Sequence, residues 1–362
     1  MAVGITRGRI LPIGVDLGTS ALKLAQLRED DGSYELLGAG SAELPPQCQD
    51  SFQARLDFCV SAMRELLSSN GFRGRECVLS IPAAVTFVHH LKVPKTPPER
   101  LQEAVLRELR GKLPFRAEEA EIRHMVAGEV VGEGEMRQEV IVVAAPRAAV
   151  TAQLAMARRA KLDVVGINVE ACAIVECFAR LFRRASDQKR VILFVDLGYA
   201  STQVVMSHGR RIVFARNVGV AGRNFDEAIA RSLGISATDA SRIRRELDAE
   251  DDSDVRVVEL HACMAEAVEE LIDELTQCFH YYESVFRNQA IERVIFLGGQ
   301  ATDRRLCRSI AQRLNLPAQI GDPLVRTGSA HPASVDGGID RREPQPRWAV
   351  AVGLSLGGNQ TA

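Results

Sequence analysis

The apolar positions of this chain change period several times, and the changes mark its elements. Ile13 to Asp16 is a short apolar run, and Ala21 to Leu27 alternates around polar Lys23 and Gln26. Both predict strands. Asp31-Gly32 is a turn pair, and Tyr34 to Glu43 resumes the strand pattern. From Ser51 to Ser68 the period becomes helical, with Leu56, Val60, Met63 and Leu67 spaced by four, three and four before Asn70-Gly71 stops the helix. Glu76 to Ile81 predicts another strand, ending at Pro82.

From about Thr86 to Leu162 the pattern reads strand, helix, strand, strand, helix. The segments are Phe87 to Val93, Glu99 to Gly111, Val126 to Val131, Glu139 to Ala145 and Ala148 to Ala160. That order is self-consistent as a small subdomain. Asn168 to Phe182 predicts a connecting helix. Strands follow at Val191 to Asp196, Thr202 to Ser207 and Arg211 to Val218, then helices at Arg223 to Leu233 and Ala237 to Ala249. The acidic run Glu250 to Asp254 predicts a solvated loop. His261 to Arg287 predicts the longest helix. Its stripe of Met264, Val268, Leu271, Leu275, Phe279, Tyr282 and Phe286 keeps three-four spacing, as core packing requires. Val294 to Leu297 predicts a strand, Arg304 to Leu314 a helix, Arg326 to Pro346 a loop, and Trp348 to Leu356 a short apolar helix. Strands alternating with helices predict an α/β chain.

The length of 362 residues allows two domains. A formal net charge of -2 and 5% aromatics argue against a nucleic-acid partner. No apolar run approaches the roughly 20 residues of a membrane-spanning helix. The opening MAVGITRGRI lacks the apolar core of a signal peptide, so a cytoplasmic location is expected. The eight cysteines form no CxxC pair, and buried reduced thiols are expected.

Two segments 180 residues apart repeat one pattern. The first is Ile13-Gly14-Val15-Asp16-Leu17-Gly18-Thr19-Ser20. The second is Phe194-Val195-Asp196-Leu197-Gly198-Tyr199-Ala200-Ser201-Thr202. Each is an apolar strand ending in Asp-x-Gly, then small or hydroxyl residues, then an alternating strand. Glycine lets a backbone approach a polyphosphate, and turn N–H groups form an anion nest. A strand-end Asp suits the water shell of Mg²⁺. A lone copy reads equally well as an ordinary β-turn, but two copies with matching flanks do not. A third segment, Val294 to Ala301, runs an apolar strand into Gly298-Gly299-Gln300, where a flat ring and ribose can lie against the backbone.

In this order the residues resemble the actin, Hsp70 and sugar-kinase (ASKHA) superfamily, and within it the PilM family of type IV pilus assembly and its relative FtsA. The resemblance covers most of the chain: GVDLGTSALKLAQL, HHLKVP with the helix ending in KLPF, VVAAPRAAV, the helix ending in HYYES, and AVAVGLSLGG. It implies an actin-like two-domain α/β fold with a small subdomain of the FtsA/PilM type (1C). Domain I would span 1–85 with 165–186 and 347–362, the inserted subdomain 86–164, and domain II 187–346. It implies an ATP-binding cytoplasmic scaffold. The expected partner is the cytoplasmic N-terminal peptide of a PilN-like inner-membrane protein, which would recruit the chain to the membrane, with self-association possible.

By that resemblance Gly18, Thr19, Ser20 and Lys23 surround the first phosphate site, and Asp16 and Asp196 hold Mg²⁺ through water. Gly198, Thr202 and Gly222 belong to the second phosphate site, and Gly298, Gly299, Gln300 and Arg244 face the adenosine. Two positions depart from the family. Ala221-Gly222 stands where Gly-Gly is usual, and Ser241 and Arg244 stand where Glu and Lys are usual. Both weaken the case for turnover, which would at most be a slow ATPase. Glu108 is the candidate to polarise an attacking water, against its plainer reading as a surface helix carboxylate. Lys23 has a similar plain reading as a solvated strand charge. The adjacent His89 and His90 point to opposite strand faces and suit structural roles. The alternatives are a nucleotide-free adaptor of a related secretion machine and a small-molecule kinase, which needs a catalytic Asp not found here beyond Asp16.

Overall fold

The computed structural model describes residues 8–49, 51–132, 134–182, 190–246, 254–286, 289–329 and 339–357. Two compact units result: residues 1–82, 150–180 and 321–362 form the first, and residues 83–149 and 181–320 the second.

The first unit is built on a seven-stranded mixed sheet. Its strands are β1 (Arg9–Ile10), β2 (Ile13–Leu17), β3 (Ala21–Asp30), β4 (Ser33–Glu43), β5 (Glu76–Ile81), β9 (Asp163–Val169) and β15 (Thr327–Ser329). The order is β15-β4-β3-β2-β5-β9, with β1 paired to β3. β2, β3 and β4 form an antiparallel meander, while β5 joins β2 in parallel and β9 joins β5. On one face, Ile13, Val15, Leu17, Leu22 and Leu24 share a core with Leu56, Val60 and Met63 of α2 (Phe52–Ser69), which follows the single-turn α1 (Pro46–Gln49). The helical period read from the sequence is therefore the buried stripe of α2. Ser51 caps this helix by accepting from the Ala54 N–H.

On the other face the chain closes with α11 (Ala349–Gly357), which lies against β2 and against α5 (Glu170–Ala179). A Cβ on Gly14 would overlap the Ala351 carbonyl oxygen, and one on Gly353 the Ala173 carbonyl oxygen. Ser355 donates to the Pro12 carbonyl at 2.8 Å and accepts from the Leu27 N–H at 3.2 Å, next to the register shift between Gln26 and Leu27. This contact holds β2 and its following hairpin in place.

The second unit carries a five-stranded sheet ordered β12-β11-β10-β13-β14. These are β10 (Val191–Leu197), β11 (Thr202–His208), β12 (Arg211–Val218), β13 (Ile291–Leu297) and β14 (Ala318–Ile320). Around it lie α6 (Gly222–Leu233), α7 (Ala237–Glu246), α8 (Val255–Cys263), α9 (Ala265–Val285) and α10 (Arg304–Leu314). Leu193, Val195 and Leu197 pack with Leu271, Leu275 and Tyr282 of α9. The single long helix read from His261 onward is instead two, joined at buried Met264, where φ −97° and ψ 4° leave the α region. Residues 250–253 of the acidic run and Arg287 lie outside the described residues.

The same unit holds a three-stranded sheet of β6 (Phe87–Pro94), β8 (Glu135–Pro146) and β7 (Ala120–Gly132), covered by α3 (Pro98–Glu108). Its buried polar centre is Glu139. One carboxylate oxygen lies 2.9 Å from His90 Nδ1 and accepts from the Tyr281 hydroxyl at 2.6 Å. His90 Nε2 lies 3.1 Å from the Ala215 carbonyl oxygen, and its ring stacks on Phe214. Burial, and then the neighbouring Glu139, push the Tyr281 phenol far up. His90 is thus a structural histidine linking β6 to β12 and α9.

The boundary of the expected subdomain shifts. The segment 86–164 divides, because Met156, Ala157, Ala160 and Leu162, in and after α4 (Arg147–Arg159), pack into the core around β2. Cys59, Cys77 and Cys177 are buried, and burial pushes each thiol up to about 12. They are packing residues without thiolate chemistry at neutral pH.

Candidate functional site

The first hairpin joins β2 to β3, with Asp16 paired across from Lys23 and Leu17 from Leu22. Leu17 donates its N–H to Ser80 Oγ at 3.0 Å, and the Ser20 carbonyl accepts from the Leu44 N–H at 2.8 Å. Both ends of the turn are therefore pinned to neighbouring elements. Gly18 is required by closeness, since a Cβ there would lie 2.7 Å from the Ala21 carbonyl oxygen. Gly18, Thr19 and Ser20 are half-exposed, while Asp16 is buried at the strand end. The Lys23 ammonium lies 3.0 Å from Asp16 Oδ2, and its side chain is only 14% exposed. Lys23 is therefore not a solvated strand charge. It neutralises the carboxylate that stands at the mouth of the turn.

The second hairpin joins β10 to β11 in the same register, with Asp196 across from Gln203 and Leu197 from Thr202. Gly198 answers Gly18: a Cβ there would lie 2.6 Å from the Ser201 carbonyl oxygen. The hairpin is tied to the start of α6, because the Gly222 N–H reaches the Gly198 carbonyl at 3.1 Å and the Arg223 N–H the Tyr199 carbonyl at 2.8 Å. Burial, and then the charge of Asp226, push the Tyr199 phenol up, so it stays a hydrogen-bond donor at neutral pH.

Ala221 has φ −161°, an extended conformation open to any residue, so its methyl group brings no backbone strain. The glycine this doublet needs is Gly222, where a Cβ would come within 2.7 Å of the Gln300 side chain. Thr202 requires a correction. It is fully buried, and its hydroxyl donates to the Val220 carbonyl at 2.7 Å. Its side chain holds the turn after β12 instead of offering a donor to a phosphate.

The Gly-Gly turn follows β13, which runs parallel to β10 with Leu297 beside Asp196. Gly298 has φ +87° and ψ 175°, a backbone region essentially reserved for glycine. A Cβ there would overlap Asp196 Oδ1 and the Leu197 carbonyl oxygen. Gly299 is exposed, with open space around it. Gln300 accepts from Arg244 Nη1 at 2.6 Å, and Arg244 Nε donates to Asp226 Oδ1 at 2.8 Å. The Arg244 side chain is 6% exposed and Asp226 is fully buried.

The second unit therefore gathers Asp196, Gly198, Gly222, Arg244, Gly298 and Gln300 through direct contacts. The first unit gathers Asp16, Gly18, Thr19, Ser20 and Lys23. Asp226 escaped sequence reading: in Asn224-Phe225-Asp226-Glu227 it looks like any helix carboxylate, and its partner is in another helix. Ser241 is half-buried on α7, one turn before Arg244. Glu108 is half-exposed at the end of α3, whose apolar face packs on the three-stranded sheet.

Each unit offers a strand-end carboxylate of the kind that suits a hard cation and a glycine turn closed tightly enough that only glycine fits. The second unit adds a glycine-only backbone at Gly298 and the held guanidinium of Arg244.

The family model described as Type IV pilus assembly protein PilM matches residues 14–359. Among solved structures, a PilM-PilN type IV pilus biogenesis complex is similar at 25% identity over 97% of this chain and 99% of that chain, with a TM-score of 0.79. The ethanolamine utilization protein EutJ from Carboxydothermus hydrogenoformans is similar in fold. It aligns at 13% identity over 96% of this chain and 89% of that chain, with a TM-score of 0.55. The α/β architecture is that of the actin-like (ASKHA) fold.

Proposed function

The chain belongs to the PilM family of type IV pilus assembly proteins, and from that premise we propose that it is a cytoplasmic scaffold that binds ATP with Mg²⁺ and docks the cytoplasmic tail of a PilN-like inner-membrane protein. One observation carries the nucleotide half of this reading: the Asp-Leu-Gly hairpin occurs twice with the same strand register and the same glycine requirement. Asp16 and Asp196 would hold the cation through its waters. The turns at Gly18 to Ser20 and at Gly198 would meet the phosphates, and Gly298, Gly299, Gln300 and Arg244 would face the adenosine. Bound ATP supplies the polyphosphate charge that makes these turns worth ordering, and a ligand that binds only the folded state stabilises it by mass action.

The similarity to a structure described as a PilM-PilN complex supports the partner half. So does the surface of the β7–β8 hairpin, where Val131 is 75% and Met136 48% exposed, together with partly exposed Val126. Apolar side chains left in water on one small sheet suit a short captured segment. Among the described residues no helix is long and apolar enough to cross a membrane, so recruitment to the membrane is assigned to the partner.

Hydrolysis is a lesser part of the proposal, since among the described residues Glu108 has no pairing that marks it as a base. The partner half is tested by titrating a synthetic peptide of the PilN-like tail into the full chain. Saturable binding that Met136→Glu weakens supports it. Peptide binding that Met136→Glu and Val131→Glu both leave unchanged moves the dock elsewhere. No binding in either nucleotide state removes it.

A further inference from the structure

We infer that Asp226 is a positioning residue: through Arg244 it aims the donor that the second unit offers to the nucleoside part of a bound nucleotide. The inference rests on the nucleotide reading above and adds a residue and a role to it. Asp226 is fully buried on α6 and bonds Arg244 Nε at 2.8 Å, while Gln300 takes Nη1 at 2.6 Å. A guanidinium is planar and its donors point in fixed directions. With Nε and Nη1 both held, and the guanidinium carbon 5.9 Å from the centroid of the Phe225 ring, the direction of Nη2 is set, and among the described residues Nη2 has no hydrogen-bond partner. Gln300 itself is seated against Gly222 and directly follows Gly298-Gly299. The remaining donor is therefore anchored to the same turn that brings Gly298 against Asp196.

A second observation separates this arrangement from an ordinary ion pair. Among the described residues, Asp226 Oδ2 is buried with no hydrogen-bond partner. Packing alone would favour a fully satisfied carboxylate or an apolar residue here, because a half-satisfied buried charge costs stability. A carboxylate kept in this state for one bond to Arg244 is accounted for by what that bond orients. The ligand feature recognised is an acceptor on the sugar or base, not on the phosphates.

The test compares ATP with inorganic tripolyphosphate, each competed against a fluorescent ATP analogue on the full chain with Mg²⁺. Asp226→Asn is expected to weaken ATP about ten- to a hundredfold while tripolyphosphate stays within about twofold. Asp226→Asn combined with Arg244→Met should be no worse than Arg244→Met alone, since one residue acts through the other. Equal losses for both ligands, additive losses in the double variant, or unchanged ATP affinity in folded Asp226→Asn would overturn the inference. If Asp226→Asn fails to fold, Gln300→Ala, at a half-exposed position, removes the other bond to Arg244 and must show the same split. If tripolyphosphate does not compete even with the unaltered protein, the coupling between the two substitutions decides alone. Failure of the unaltered protein to bind the ATP analogue at all removes the nucleotide reading itself, and is thereby distinguished from failure of the positioning role.

Discussion

The two glycines of the Gly298-Gly299 turn should respond very unequally to a single methyl group. At Gly298, alanine must adopt φ +87° with ψ 175°, which costs about 1–3 kcal/mol for a residue with a Cβ. The new methyl also overlaps Asp196 Oδ1 and the Leu197 carbonyl, whose carbon would lie 2.7 Å away. The carboxylate can rotate away, but the β10 backbone cannot, and overpacking of that kind adds about 1–3 kcal/mol. Gly298→Ala should therefore lower stability by about 2–6 kcal/mol, or roughly 5–20 °C in the melting of its unit. Gly299 has no positive φ and nothing within 4 Å of an added Cβ. Gly299→Ala should stay within about 0.5 kcal/mol of the parent. Urea unfolding followed by circular dichroism, with scanning calorimetry alongside, reads both. Equal effects of the two substitutions, or a Gly298→Ala protein as stable as the parent, would refute the placement of Asp196 against this turn.

Asp16→Ala and Asp196→Ala are each expected to weaken Mg²⁺-dependent nucleotide binding about tenfold or more with the fold kept; unchanged affinity in both would remove their assigned role. Thr202→Val should cost about 1–3 kcal/mol of stability by stranding the Val220 carbonyl, with nucleotide affinity unchanged; a large affinity loss at unchanged stability would restore Thr202 to the phosphate site. The Tyr281 phenol is raised in the folded state by burial and by Glu139, so its stabilisation is complete below the unfolded value of about 10 and is lost as pH rises beyond it. Urea unfolding across this alkaline range should show a steeper loss for the parent than for Tyr281→Phe, by up to about 1.4 kcal/mol per pH unit. Parallel slopes would contradict the buried Glu139 contact.

The parts of the fold that were legible in the sequence are those whose signal is local. The Asp-Leu-Gly turns, the stripe of α2 and the Gly-Gly turn each announce themselves within about ten residues, and their strands and helices form where the periods place them. What escaped depends on partners distant in the chain. β9, with Gly166 in its middle, becomes a strand by pairing in parallel with β5, and α4 joins the first unit because its apolar face fits beside β2. Thr202 has the residue type of a phosphate donor, but the strand pleat turns it toward Val220. Asp226 and Arg244 sit on separate helices, and only packing shows that they meet. Ala221 reads as a departure from Gly-Gly because sequence does not report φ; its extended backbone is one that alanine adopts without strain.

The central claim is that the paired hairpins bind a magnesium nucleotide. Its most direct test is a calorimetric titration of ATP into the full chain, with Mg²⁺ and again with EDTA. Saturable heat with Mg²⁺ that is lost or strongly reduced in EDTA, and reduced again in Asp16→Ala and Asp196→Ala, is the predicted result. A folded protein that shows no heat above dilution at about millimolar ATP would contradict it.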